Sequence, residues 1–277
     1  LNENIKAGAK NFVEGVGAAA TPASPPVNQF DPVNGYQYGT LWPQKLEYKV
    51  QYSSLNVDWD GGPATLMSAT SYGKITDYFQ SDISDANLIP GLTYGMFFGG
   101  MVYGQPTVIA GRQTEFVHKF NQELRLASKP GSQLLGHDID WQVGAFYTHE
   151  ETDLNQPYDA RSATDVSTVL APPIGGADIP ADYKETSAFV DFTYHFSKKF
   201  DVELGGRSTH VKQWSQVSLD CCVIYGPATT YDAIHSTESS TTWSIAPRFH
   251  LSDDTLLYAR VATGFRPGGP NLPTPAL

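Results

Sequence analysis

Two pairs of carboxylates, Asp138/Asp140 and Glu150/Glu151, carry the spacing in this chain that most resembles an acid–base dyad. A working dyad needs a shared pocket that holds one carboxyl protonated beside an ionised partner. Asp138 and Asp140 sit two apart, the spacing of one strand face, and fit a wet barrel wall; Glu150 and Glu151 fit a strand end at the water line. Neither pair is expected to be catalytic. Seven histidines, His118, His137, His149, His195, His210, His235 and His250, stand at no metal-ligand spacing, so polar wall or loop positions account for them. Cys221 and Cys222 are adjacent, a spacing that bridges only with strain. They are read as loop cysteines, reduced or locally bridged. No metal, cofactor or catalytic residue is expected.

Recognition chemistry is better represented. Tyr94, Phe97, Phe98, Tyr103, Tyr158, Arg161, Tyr225, Tyr231 and Arg266 fall in the connections between extended segments. Aromatic faces and guanidinium forks suit chelates, sugars or carboxylates. Packing of the connections against one another explains the same residues equally well. The net charge of −11, with no clustered Lys or Arg, argues against nucleic acid.

The elements that must position these residues read as strands. In Tyr183–Trp214, Ala188, Val190, Phe192, Tyr194 and Phe196 occupy alternate positions, with Phe189 the one apolar residue out of phase. Period two means side chains alternating between the faces of a strand. Ser197–Lys199 make a tight turn, and Phe200, Val202 and Leu204 alternate with Asp201, Glu203 and Arg207 on the way back. The pattern recurs in Leu46–Trp59, in Gln113–Ala127 (Phe116, Phe120, Leu124, Leu126), in Ile139–Tyr147 and in Trp243–Leu251. The apolar phase of Leu46, Tyr48, Val50 and Tyr52 changes at Leu55, Val57 and Trp59, which predicts a bulge near Ser53–Ser54. Asp60-Gly61-Gly62, Pro130-Gly131 and Ser252-Asp253-Asp254 are turn signals, whereas 80–112, 151–182 and 216–237 are long connections.

Strand, short turn, strand, long loop thus repeats about four times. Transmembrane barrels keep every second connection long, because periplasmic turns are short and extracellular loops are not. Arms of ten or more residues match the ~9–11 that cross a bilayer at a tilt. The expected fold is all-β: an antiparallel up-and-down transmembrane β-barrel segment of about eight long strands. Tyr48, Trp59, Tyr147 and Trp243 fit interfacial aromatic girdles, or alternatively the core of a soluble β-sandwich. The apolar stretch Leu88–Val102 carries Pro90, Gly91, Gly95, Gly99 and Gly100, is shorter than the ~20 residues of a spanning helix, and reads as a loop. The chain shows no secretory signal and does not begin with Met, so it is expected to be an interior piece. Residues 1–45 read as a loop region, 46–264 as strands and loops, and 265–277 as the start of a further loop.

FNQELRLAS (Phe120–Ser128), DWQVGAFYTHEE (Asp140–Glu151) and LLYARVATGFRPGGPN (Leu256–Asn271) resemble the barrel of TonB-dependent outer-membrane receptors. SLNVDWDGGPATLMSATSY (Ser54–Tyr72) is similar to a hairpin that precedes them there. GFRPGG after an LYA strand is the sharpest of these matches. The resemblance implies an importer in the outer membrane of a Gram-negative bacterium, with a plugged barrel of about 22 strands. It further implies outer-membrane lipid around the barrel and a small nutrient ligand such as a ferric siderophore. TonB would be met only through a plug and an N-terminal box, which nothing in this chain resembles. The implied protein is a middle fragment of such a barrel and not an enzyme. A passive β-barrel pore and a soluble β-sandwich binding module are the alternatives.

Overall fold

The computed structural model describes residues 2–8, 42–84, 87–89, 92–220, 223 and 225–269. Nine strands follow one another in space as they do in sequence: β1 (Asn2–Gly8), β2 (Lys45–Asp60), β3 (Ala64–Asp82), β4 (Thr107–Ser128), β5 (His137–Ser162), β6 (Gly175–His195), β7 (Phe200–Ser215), β8 (Ile234–Ser252) and β9 (Thr255–Tyr258). Every neighbouring pair is antiparallel, so the sheet is an up-and-down meander. The strands from β2 to β8 run from 16 to 26 residues, well beyond the roughly 5–6 of a soluble strand. Among the described residues the two ends of the sheet, β1 and β9, do not pair with each other.

The turns at one end are short, and local polar groups close them. Asp60 Oδ1 accepts from the Gly62 amide at 2.9 Å, with Gly62 at φ 88°. Ser197 Oγ accepts from the amides of Lys199 (3.2 Å) and Phe200 (3.0 Å). At the other end β3 and β4, β5 and β6, and β7 and β8 are joined by 83–106, 163–174 and 216–233.

Register separates the two faces. Trp59, Leu66, Leu126, Val143, Val190, Gly206 and Trp243 are successive cross-strand partners in one row. Five of them have exposed side chains, Leu66 and Val143 together with Trp59 (60 %), Val190 (50 %) and Trp243 (50 %), and Leu126 is half-buried. One residue further along, the row on the opposite face reads Asp58, Met67, Arg125, Gly144, Phe189, Arg207 and Thr242. The buried polar side chains Thr148, Ser187, Thr193, Asp201 and Thr209 share that second face. Apolar outside and shielded polar inside reverses the arrangement of a soluble protein and matches a barrel wall in lipid. Among the described residues no second sheet covers the apolar face, which removes the sandwich reading.

Four expectations are corrected. No bulge interrupts β2: its register with β3 runs unbroken from Lys45↔Gln80 to Asp60↔Thr65. The apolar phase changes because the strand outruns the membrane. Leu55, Val57 and Trp59 face outward, whereas Leu46, Tyr48, Val50 and Tyr52 face inward further up. Tyr48 is therefore no girdle residue, while Trp59, Tyr147 and Trp243 do share the outward face. The long connections are shorter than expected, since β5 continues to Ser162 and β6 starts at Gly175. In Glu151–Ser162 neither face meets hydrocarbon and Ala160 is buried under the loops, so backbone pairing persists without apolar alternation. Finally, the region 1–45 opens with β1 paired to β2, and 9–41 lie outside the described residues. Cys221 and Cys222 also lie outside them. The Leu88–Val102 stretch holds no spanning helix among its described residues: it contains a helical turn at Tyr94–Phe97 and a π-helical turn at Phe98–Tyr103.

Candidate functional site

The connections at the long-loop end fold into a joint platform. Thr93 Oγ1 accepts from the Met96 amide at 3.3 Å and starts the helical turn, and Gly104 at φ 64° ends the π-helical one. Ser84 fastens this loop to the strand tops, as its carbonyl accepts from the Gly95 amide (2.8 Å) and its Oγ from the Ile109 amide (2.8 Å). Phe98 is thereby driven into a cluster with Ile109, Ala160 and Ile174 and is only 2 % exposed. Its ring lies parallel to Tyr94 (6.3 Å, 11°) and edge-on to Phe97 (5.1 Å, 85°). Tyr103 donates its hydroxyl to the Pro172 carbonyl at 2.7 Å, tying 83–106 to 163–174. The Val223 amide donates to Ile174 O at 3.1 Å and brings in the third loop.

Tyr94, Phe97, Phe98, Tyr103 and Tyr158 therefore converge on one apolar cluster. Tyr225 and Tyr231 pack on a neighbouring one built from Ala177, Val217 and Leu219. The two touch electrically: burial pushes the Tyr225 phenol above its ordinary 10, and the nearby Tyr158 and Tyr94 phenols add to it. Burial raises Tyr158 and Tyr103 in the same way. These groups stand at the long-loop end of the strands and in the loops, and they remain neutral donors at physiological pH.

The two predicted cations are not part of this cluster. Arg161 donates through Nη1 to Val166 O (2.9 Å), pairs through Nη2 with Asp159 (3.3 Å), and stacks its guanidinium 4.1 Å from the Trp42 ring. Arg266 is exposed at the end of the described chain.

The inner wall is a second arrangement. Arg207 bonds Glu185 (2.7 Å) and Ser187 (2.9 Å), and Arg248 bonds Asp201 (2.5 Å) and Glu203 (2.8 Å). Members of the predicted carboxylate pairs are absorbed on this wall: Asp140 accepts from His195 (2.8 Å), and Glu150 pairs with Lys119 (2.9 Å). Glu150 and Glu151 face opposite sides of β5, so they form no dyad. A cavity of about 300 Å³ opens on this wall between Glu123, Arg125, Gln142, Phe189, Asp191 and Arg207. Phe189, the out-of-phase aromatic, lies under the Arg125 guanidinium at 5.7 Å. In the sequence Phe189 is only an out-of-phase aromatic; its role depends on the cross-strand neighbour Gly144 and on Arg125.

A charged and aromatic-lined inner wall, an apolar outer one and a loop platform on long strands describe a receptor barrel. The family model "TonB dependent receptor-like, beta-barrel" matches residues 5–275. The chain belongs to this family. That family consists of outer-membrane transport receptors and is not an enzyme class. Two solved receptors share the fold. The ferric yersiniabactin uptake receptor FyuA from Yersinia pestis aligns with TM-score 0.65 at 17% identity over 85% of this chain and 31% of its own. The ferric-catecholate import receptor Fiu from E. coli K12 aligns with TM-score 0.57 at 12% identity over 81% of this chain and 36% of its own. The chain thus spans about a third of the length of these receptors. No curated protein matches it.

Proposed function

We propose that residues 1–277 are one part of the barrel domain of an outer-membrane importer that takes up a scarce nutrient, a ferric siderophore complex being the cargo. The observation that carries this reading is the split between an exposed apolar row and an ion-paired inner row on the same seven strands, joined to a loop platform. The two solved receptors named above are receptors for ferric yersiniabactin and ferric catecholates, which supports the cargo class. Ligand is met by the loops: Phe98 holds the platform together, and Tyr94, Phe97, Tyr103, Tyr158, Tyr225 and Tyr231 offer rings and phenols at its partly exposed surface. Arg161, next to Ala160 at the top of β5, supplies charge beside it, and Arg266 offers a second, exposed guanidinium beyond β9. Coupling to TonB runs through the plug and box of the complete receptor.

The test is uptake of iron-labelled siderophores by iron-starved Gram-negative cells carrying the complete receptor, with and without TonB. Uptake that needs both the receptor and TonB supports the proposal. Receptor-dependent entry that persists without TonB supports a passive pore instead, and no receptor-dependent uptake of any ferric chelate refutes the cargo class.

A further inference from the structure

On the outward face, above the apolar rows, β5 and β6 bring together three side chains of metal-ligating type. His149 and Glu151 are two apart on β5, and Asp182 of β6 stands directly opposite Glu151. His149 Nε2 lies 2.6 Å from Asp182 Oδ2 and 3.7 Å from Glu151 Oε1, and one ligand atom from each residue falls within 4.8 Å of the others. Ligand bonds of about 2.1 Å in a tetrahedral shell put donor atoms roughly 3.4 Å apart. Shifts of under an ångström would therefore close these three atoms around an ion.

We propose that His149, Glu151 and Asp182 form a binding site for one divalent transition-metal ion of the zinc class. An imidazole with two carboxylates selects a borderline ion over calcium or magnesium, which favour all-oxygen shells. The metal replaces the hydrogen-bonded proton between His149 and Asp182. Asp182 is already oriented for the task, since Lys184 Nζ bonds Oδ1 at 3.1 Å and Oδ2 is turned to His149. Glu151 is 61% exposed, so the fourth position opens to water on the outer surface.

The setting is rigid and self-sufficient. β5 and β6 keep an unbroken ladder from Ile139↔Tyr194 to Tyr158↔Gly175, with β4 and β7 paired on either side. The site lies on the outer wall and not on the inner one, so the ion is no part of the transport path. It clamps two strands where they leave the hydrocarbon.

The experiment strips the complete receptor in detergent micelles with a chelator and titrates it with Zn²⁺ against a chromogenic competitor. His149→Gln should lose one bound equivalent. The largely exposed Glu151→Gln should weaken that equivalent at least about tenfold, the lower end of what even an outer partner of a metal site costs. His118→Gln, across from Glu151 on β4, should leave the equivalent in place. An excess of Ca²⁺ should not displace it. The far-UV dichroism of each variant serves as the folding control. If well-folded His149→Gln and Glu151→Gln bind as many equivalents as tightly as the parent, the site does not exist.

Discussion

Gly144 and Phe189 face each other directly across β5 and β6, and the glycine makes room for the ring. A Cβ on Gly144 would stand 2.8 Å from Phe189 Cε1 and 2.7 Å from the Leu124 carbonyl oxygen. The first neighbour is a side chain that can turn; the second is backbone and cannot. Gly144→Ala should therefore destabilise the barrel by about 1–3 kcal/mol, read as a lower melting temperature in detergent. Adding Phe189→Ala should recover only part of the loss, because the Leu124 carbonyl remains. Full recovery would show that the ring alone sets the requirement.

Phe98 is the centre of the loop platform, and its loss should be felt there and not in the wall. Phe98→Ala removes a buried aromatic, a change that costs about 3–5 kcal/mol in a core. Here the cost falls on local order. Limited proteolysis should cut 83–106 and 163–174 much faster, while the β-sheet dichroism stays the same. Cleavage unchanged from the parent would place the platform's strength elsewhere.

The loop phenols give a pH signature. Burial raises the folded-state pKa of Tyr103, Tyr158 and Tyr225 above the unfolded value. Stability from their neutral forms is complete below the unfolded pKa of about 10. It is lost as pH climbs through the raised folded values. A tyrosinate absorbance titration should then show a group of late-titrating phenols, and Tyr158→Phe should remove one of them. Protease sensitivity of the loops should rise over the same alkaline range. A titration in which every phenol ionises near the ordinary value would contradict the buried platform.

The wall was legible in the sequence wherever one face met hydrocarbon. Ile139, Trp141, Val143, Ala145 and Tyr147 alternate because lipid selects apolar side chains at every second position. Beyond the membrane that selection stops. Hence Glu151–Ser162 read as a loop although the backbone stays paired, and the inward turn of the apolar phase above Ser53 read as a bulge. The candidate site was legible by residue type alone. That Tyr94, Phe98 and Tyr158 share a cluster depends on how 83–106 folds back over the strand tops, which no period reports. His149 and Asp182 are 33 residues apart, so only the register of β5 on β6 makes them neighbours.

The central claim is that alternate residues of these strands face lipid and an aqueous interior. Nitroxide labels placed singly at 142, 143, 190 and 191 in the membrane-reconstituted receptor measure it directly. The account predicts that labels at Val143 and Val190 relax with lipid-soluble oxygen. Labels at Gln142 and Asp191, which share the inner row, should be far less accessible to oxygen. Equal oxygen accessibility at all four positions, or the reverse alternation, would contradict it.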